Sequence, residues 1–225
     1  MKKIFFNVTA CICAGLLFAG CNKGSGGSGF DGVIQATAVS LPPGLTADEV
    51  DIDEVKVVVH RENGKDEDIA SGVYDKGRFI LNLPLIVQDK YLSPITDGLS
   101  GGVKVSDVDA KLCGRDEILA YKGENQVGEL CYVKEVYYNN EDDPFAEYEG
   151  MVFWYVDRDV NITGSYSEIG GDDNNITESI KYNLSLKKGW NKVYYKQSGD
   201  KANNTVSAEI TSTELSGLTW YYRPY

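Results

Sequence analysis

The chain has 225 residues, with 34 Asp and Glu against 22 Lys and Arg and a formal net charge of -12. So acidic a surface repels phosphate backbones and anionic headgroups, which excludes nucleic acid as a partner and favours cations, neutral ligands such as sugars, or other proteins. With 42% apolar residues and 15 tyrosines, the length is ample for one large β domain or two small ones.

Residues 1–21, MKKIFFNVTACICAGLLFAGC, open the chain with two lysines, an apolar run from Ile4 to Phe18 and the small pair Ala19-Gly20 before Cys21. This is the layout of a secretory signal. The apolar run is shorter than the ~20 residues a helix needs to span a bilayer, which argues against a retained anchor. The segment resembles the lipobox of bacterial lipoproteins, with Phe18 where an aliphatic residue is usual. That resemblance implies cleavage before Cys21, diacylglycerol on its thiol and an acylated amino terminus. It makes residues 1–20 a signal peptide and places the protein on the outer membrane by a lipid anchor. Residues 21–29 then form the lipidated cysteine and a Gly/Ser tether with a reach of roughly 15 Å. Lipoproteins of the kind it resembles often carry an acidic cluster just after the cysteine when they are moved to the cell surface. None follows Cys21, so the resemblance implies the periplasmic face.

From Val33 onward, short segments rich in Val, Ile, Tyr, Phe and Thr alternate with Gly, Asp, Asn and Pro, which is the punctuation of strands. The first group is expected at Val33–Val39, Glu54–Arg61, Asp68–Tyr74 and Arg78–Leu83. In the second strand Val55, Val57 and Val59 share one face. Asn63-Gly64 and Asp75-Lys76-Gly77 are hairpin turns. The stretch ASGVYDKGRFILNLP, Ala70–Pro84, resembles transthyretin-like or carboxypeptidase-regulatory-like β-sandwich modules. Its Gly-x-Phe-x-Leu segment implies inward-pointing Phe79 and Leu81 and carries no activity with it.

Residues 85–92 allow one or two helical turns, and Pro94 to Gly102 read as a loop. Strands resume at Val108–Leu112, Glu117–Lys122 and Gly128–Tyr138. They continue at Glu149–Asp157, Val160–Tyr166, Ile176–Leu186, Lys192–Lys196, Thr205–Thr211 and Leu218–Tyr222. The expected fold is all-β, an antiparallel sandwich of two Ig-like or transthyretin-like modules with little helix, spanning residues 30–93 and 103–225. The segments Val156–Gly164, Leu184–Tyr195 and Gly217–Tyr222, taken with the lipobox, resemble uncharacterised small lipoproteins of Gram-negative gut bacteria. This resemblance transfers no site residue.

Chemistry-bearing patterns are few. The signal removes Cys11 and Cys13 and lipid consumes Cys21, so Cys113 and Cys131 remain as a disulfide candidate in an oxidising compartment. The alternative is two separate buried thiols. His60, the single histidine, lies in an expected strand and reads as an ordinary strand residue. No nucleophile, phosphate-loop or zinc motif accompanies it, so the chain is expected to be noncatalytic, with no cofactor and no metal site. The acids of Gly170–Asn175 and of Asp157-Arg158-Asp159 read as solvated turns, with calcium as the less favoured use.

Aromatic residues invite a carbohydrate reading, and Trp220, Tyr222 and Tyr225 are the least constrained rings for stacking on a sugar. Trp154 and Trp190 are expected in the core. The sequence thus points first to a lipid-anchored binding or assembly module. A carbohydrate-binding accessory lipoprotein comes second and a fimbrial or assembly subunit third. An envelope protein or a glycan is the implied partner, and the oligomeric state stays open.

Overall fold

A computed structural model describes residues 30–47, 49–59, 67–114, 117–134, 143–170 and 176–225. Expectations for Cys21 and its tether, His60, the Asn63-Gly64 turn and the acids at 172 and 173 lie outside the described residues. The fold is all-β. In chain order the strands are β1 (Val33–Ala36), β2 (Glu54–Val59), β3 (Glu67–Asp75), β4 (Arg78–Asn82) and β5 (Ser93–Pro94). They continue with β6 (Val103–Val105), β7 (Lys111–Gly114), β8 (Glu117–Lys122), β9 (Asn125–Lys134) and β10 (Tyr148–Val156). The last are β11 (Val160–Gly170), β12 (Ile176–Leu186), β13 (Gly189–Asp200), β14 (Thr205–Thr211) and β15 (Leu218–Pro224). The helical turns expected at 85–92 reduce to one 3-10 turn, Asp89–Tyr91.

All strands join one sheet in the order β1-β4-β3-β2-β8-β9-β10-β13-β14-β12-β11-β6, with β15 on β9, β7 on β10 and β5 on β7. Every pairing is antiparallel except β12 with β14. The β3–β4 reversal has Asp75 paired with Arg78 and positive φ at both Lys76 (48°) and Gly77 (84°). Such a two-residue turn matches the twist of the flanking strands. One register shift in β2, between Val57 and Val58, interrupts the simple alternation, and both valines are buried.

Two main cores follow from side-chain parity along β10 and β13. Met151, Phe153 and Tyr155 of β10, with Trp190 and Tyr194 of β13, face a first core. Ile34 and Ala36 of β1, Val55 and Val57 of β2, Phe79 and Leu81 of β4, and Trp220 and Tyr222 of β15 complete it. Trp154 and Val156 of β10 and Val193 of β13 face the second, which holds Ile162, Tyr182, Leu184, Leu186 and Ile210. Strands buried on both sides lose the polar alternation of half-buried ones, and the β10 run Met151–Val156 carries no polar residue.

The division expected near residues 94–102 does not separate these cores. β2 pairs with β8 from Glu54–Tyr121 to Val58–Glu117, and the first cluster runs in sequence from Ile34 to Tyr222. Beyond β1 the chain crosses to β15, where the Ser40 amide donates to the Trp220 carbonyl at 2.8 Å and the Tyr222 amide donates to the Ser40 carbonyl at 2.9 Å. The run β1-β4-β3-β2-β8-β9-β15 thereby returns to its start.

Candidate functional site

Two of the three rings singled out from the sequence are core residues. Trp220 lies 5.1 Å from the Phe79 ring and 5.0 Å from the Tyr132 ring, and its indole Nε1 donates to the Gln35 carbonyl at 3.2 Å. The Tyr222 hydroxyl donates to the Val127 carbonyl at 2.8 Å. Gly128, opposite Pro224, leaves the space into which the Tyr222 ring packs, since a Cβ there would sit 2.6 Å from that ring. A buried ring has no face to offer a sugar, so Trp220 and Tyr222 are corrected from platform to packing. Tyr225 is exposed, and its hydroxyl is engaged by Gln126 Nε2 at 3.0 Å and sits 3.4 Å from Glu129 Oε2. Trp154 and Trp190 are buried, as their place in a β interior requires.

The two cysteines fall into different clusters. Cys113 sits opposite Tyr155 and shares its face in the first core. Cys131 packs with Val133 and Tyr221 in a third, small cluster, and its thiol donates to Glu129 Oε1 at 3.2 Å. Tyr132 of β9 meets Met151 of β10, so by alternation Cys131, one residue earlier, points away from the face that Cys113 occupies. Both are thiols in this structure, which is the alternative arrangement to a disulfide.

The acids of the 157–159 turn serve the backbone. Asp157 accepts the Lys111 amide at 2.8 Å, and Asp159 accepts the Lys188 amide at 2.9 Å and the Lys187 ammonium at 2.8 Å. Burial alone would raise the Asp157 carboxyl, but its bonds from Arg158 and the Lys111 amide outweigh that and hold it below the ordinary value. Among the described residues no group of three or more His, Cys, Asp or Glu side chains is placed to hold a metal. Buried tyrosines are likewise remote from acid–base work near neutrality. Burial pushes the Tyr74 hydroxyl up to about 12, against a bond from Gly77, and it raises Tyr182 and Tyr194 further.

What the structure does offer is the outer face of the β1–β4–β3 layer. On β4, Phe79 and Leu81 point into the core while Ile80 points out, 52% exposed. Gln35 pairs with Ile80 across the β1–β4 ladder. Val73 on β3 is 76% exposed and lines the same shallow depression as Ile80, Gln35 and the Asp75–Arg78 ion pair, whose atoms are 2.7 Å apart. Val33, partly exposed, extends the apolar strip along β1. A half-buried strand ordinarily turns polar side chains outward, so Ile80, between two inward residues, was the sequence signal for this face. The carbohydrate reading drew attention to the aromatic residues instead.

No protein-family model, no curated protein and no solved structure matches this chain.

Proposed function

We propose that the chain is a noncatalytic, lipid-anchored protein of the outer membrane, built as a two-core β-sandwich, that binds an envelope protein through the outer face of its β1–β4–β3 layer. The observation that carries the reading is the adjacency of Val73 and Ile80 in one solvent-facing depression, with Val33 exposed on the same face of β1. Contiguous exposed aliphatics on a soluble domain mark a contact surface, and the Asp75–Arg78 pair at its margin is suited to a polar rim. Anchorage rests on the segment ending at Cys21. The assembly reading by strand addition at β1 has less support, because the Gln35 carbonyl on that strand already accepts from Trp220.

The test is a photo-crosslinking amino acid placed at Val73 or Ile80 in cells, with Ile169, an exposed residue on β11, as the control. A single crosslinked species of defined mass from the first two sites and not the third is the expected result. Crosslinking that is equal at all three sites, or a glycan-array signal with no protein adduct, would replace the reading. In parallel, Cys21→Ala should abolish incorporation of labelled palmitate and release the protein from the membrane fraction.

A further inference from the structure

Several independent turns place one end of the molecule. Val156 at the end of β10 pairs with Gly189 at the start of β13, and Leu186 at the end of β12 pairs with Val160 at the start of β11. The 157–159 and 187–188 turns therefore lie at this end, and Arg158 brings the 106–110 loop to it through Asp107, 3.5 Å away. Trp190, next to Gly189, donates its indole N–H to the Pro84 carbonyl at 2.8 Å. The loop after β4 is thus fixed at the same end, with Leu83 and Val87 buried on either side of its tip.

Between those anchors, Leu85 and Ile86 project into solvent, 82% and 79% exposed. Two consecutive large aliphatics held outward by a pinned base are unfavourable in water, because neither hides its apolar surface. Val108, in the 106–110 loop, adds a third exposed aliphatic at this end. The described chain also begins here. The Leu83 amide donates to the Gly32 carbonyl at 2.8 Å, so Phe30 and Leu85 each lie within roughly 7 Å of chain from that bond. Phe30, the first described residue, and the aliphatic tip consequently share one end.

Resting on the reading of Cys21 as a lipid anchor, we propose that the Leu85–Ile86 tip inserts into the surface of the membrane that holds the chain, as a second contact that sets the orientation of the body. Only eight residues separate Cys21 from Phe30, so a lipid on Cys21 would hold this end near the headgroups. The acids of the 157–159 turn do not stand bare against the surface, although Asp31, Asp89 and Asp109 are exposed at the same end. Asp107 and Asp157 are paired with Arg158, and Asp159 with Lys187, while the exposed Lys188 faces solvent beside them. Oriented this way, the opposite ends of β11 and β12 point away from the bilayer.

The experiment uses the full-length protein, purified with its lipid and reconstituted in phosphatidylcholine vesicles, with and without brominated acyl chains. Leu85→Trp is compared with Ile169→Trp, a site 74% exposed and roughly 30 Å further along β11 from the 157–159 turn. The native Trp154, Trp190 and Trp220 are buried and give a constant background. The emission added by Leu85→Trp should be quenched at least about twofold more than that added by Ile169→Trp. Equal quenching in protein that floats with the vesicles overturns the insertion alone. Protein that carries no lipid and does not float overturns the anchor, and the insertion with it. A blue-shifted but unquenched Leu85→Trp together with a doubled mass would assign the tip to a second copy of the chain, which also overturns the proposal.

Discussion

β10 and β4 solve the same problem in opposite ways. β10 has a core on each side, so its residues from Met151 to Val156 are apolar whichever way they point. β4 has one core, and the polar residues Arg78 and Asn82 face out as expected, yet Ile80 faces out with them. An apolar residue means little on a strand covered on both sides. On a strand covered on one side, the same residue type needs a reason. This is why the outer layer, rather than the aromatic-rich centre, holds the candidate contact surface.

The contrast can be broken first at the centre. Trp190 packs against Tyr155 with ring centroids 5.5 Å apart and is bonded to Pro84, so Trp190→Ala should cost about 3–5 kcal/mol, read as a lower urea midpoint at unchanged slope. A change of less than ~1 kcal/mol would mean that the centre tolerates cavities and is no more constrained than the outer layer. The junction of the outer layer comes next. A Cβ at Gly72 would sit 2.2 Å from the Ile80 carbonyl oxygen, a backbone atom that cannot swing aside. Gly72→Ala should therefore destabilise by about 1–3 kcal/mol and speed hydrogen exchange in β3 and β4 ahead of β10. The smallest effect belongs to the surface itself. The double substitution Val73→Ser with Ile80→Ser should leave stability within about 0.5 kcal/mol while removing the crosslinked species. A large loss of stability would show that this face is packed in solution.

Much of this was legible in the chain, and the unread part has a common cause. β8, β12 and β14 begin and end where the sequence puts them, because each is a run of strand formers bounded by turn residues. The Lys76-Gly77 reversal was equally plain, since a glycine in the second position suits the positive φ that the turn demands. Alternation also places Trp220 and Tyr222 on one face and Tyr221 on the other. What alternation does not tell is how many faces are covered, and all three of these residues are buried. Covering is set by partners far away in the chain, such as Phe79 and Gln35 for Trp220. The same blindness hid β5 and β6, two and three residues long, which flank the Pro94–Gly102 segment read as a loop. It also suggested a boundary where β2 and β8 are hydrogen-bonded neighbours.

β14 pairs with β12 on one side and β13 on the other, although β12 and β13 are themselves separated by only two residues, Lys187 and Lys188. The tight connection therefore opens a gap that a later segment must enter. Loop closure precedes any gain from such pairing, which makes the step slow. β15 repeats the logic, arriving last to lie against β9 and to bond with Ser40. A chain threaded N-terminus first through a narrow pore would thus keep both main cores unsealed until nearly its whole length had emerged. Its strand order leaves the sealing of both main cores to the C-terminal strands β14 and β15.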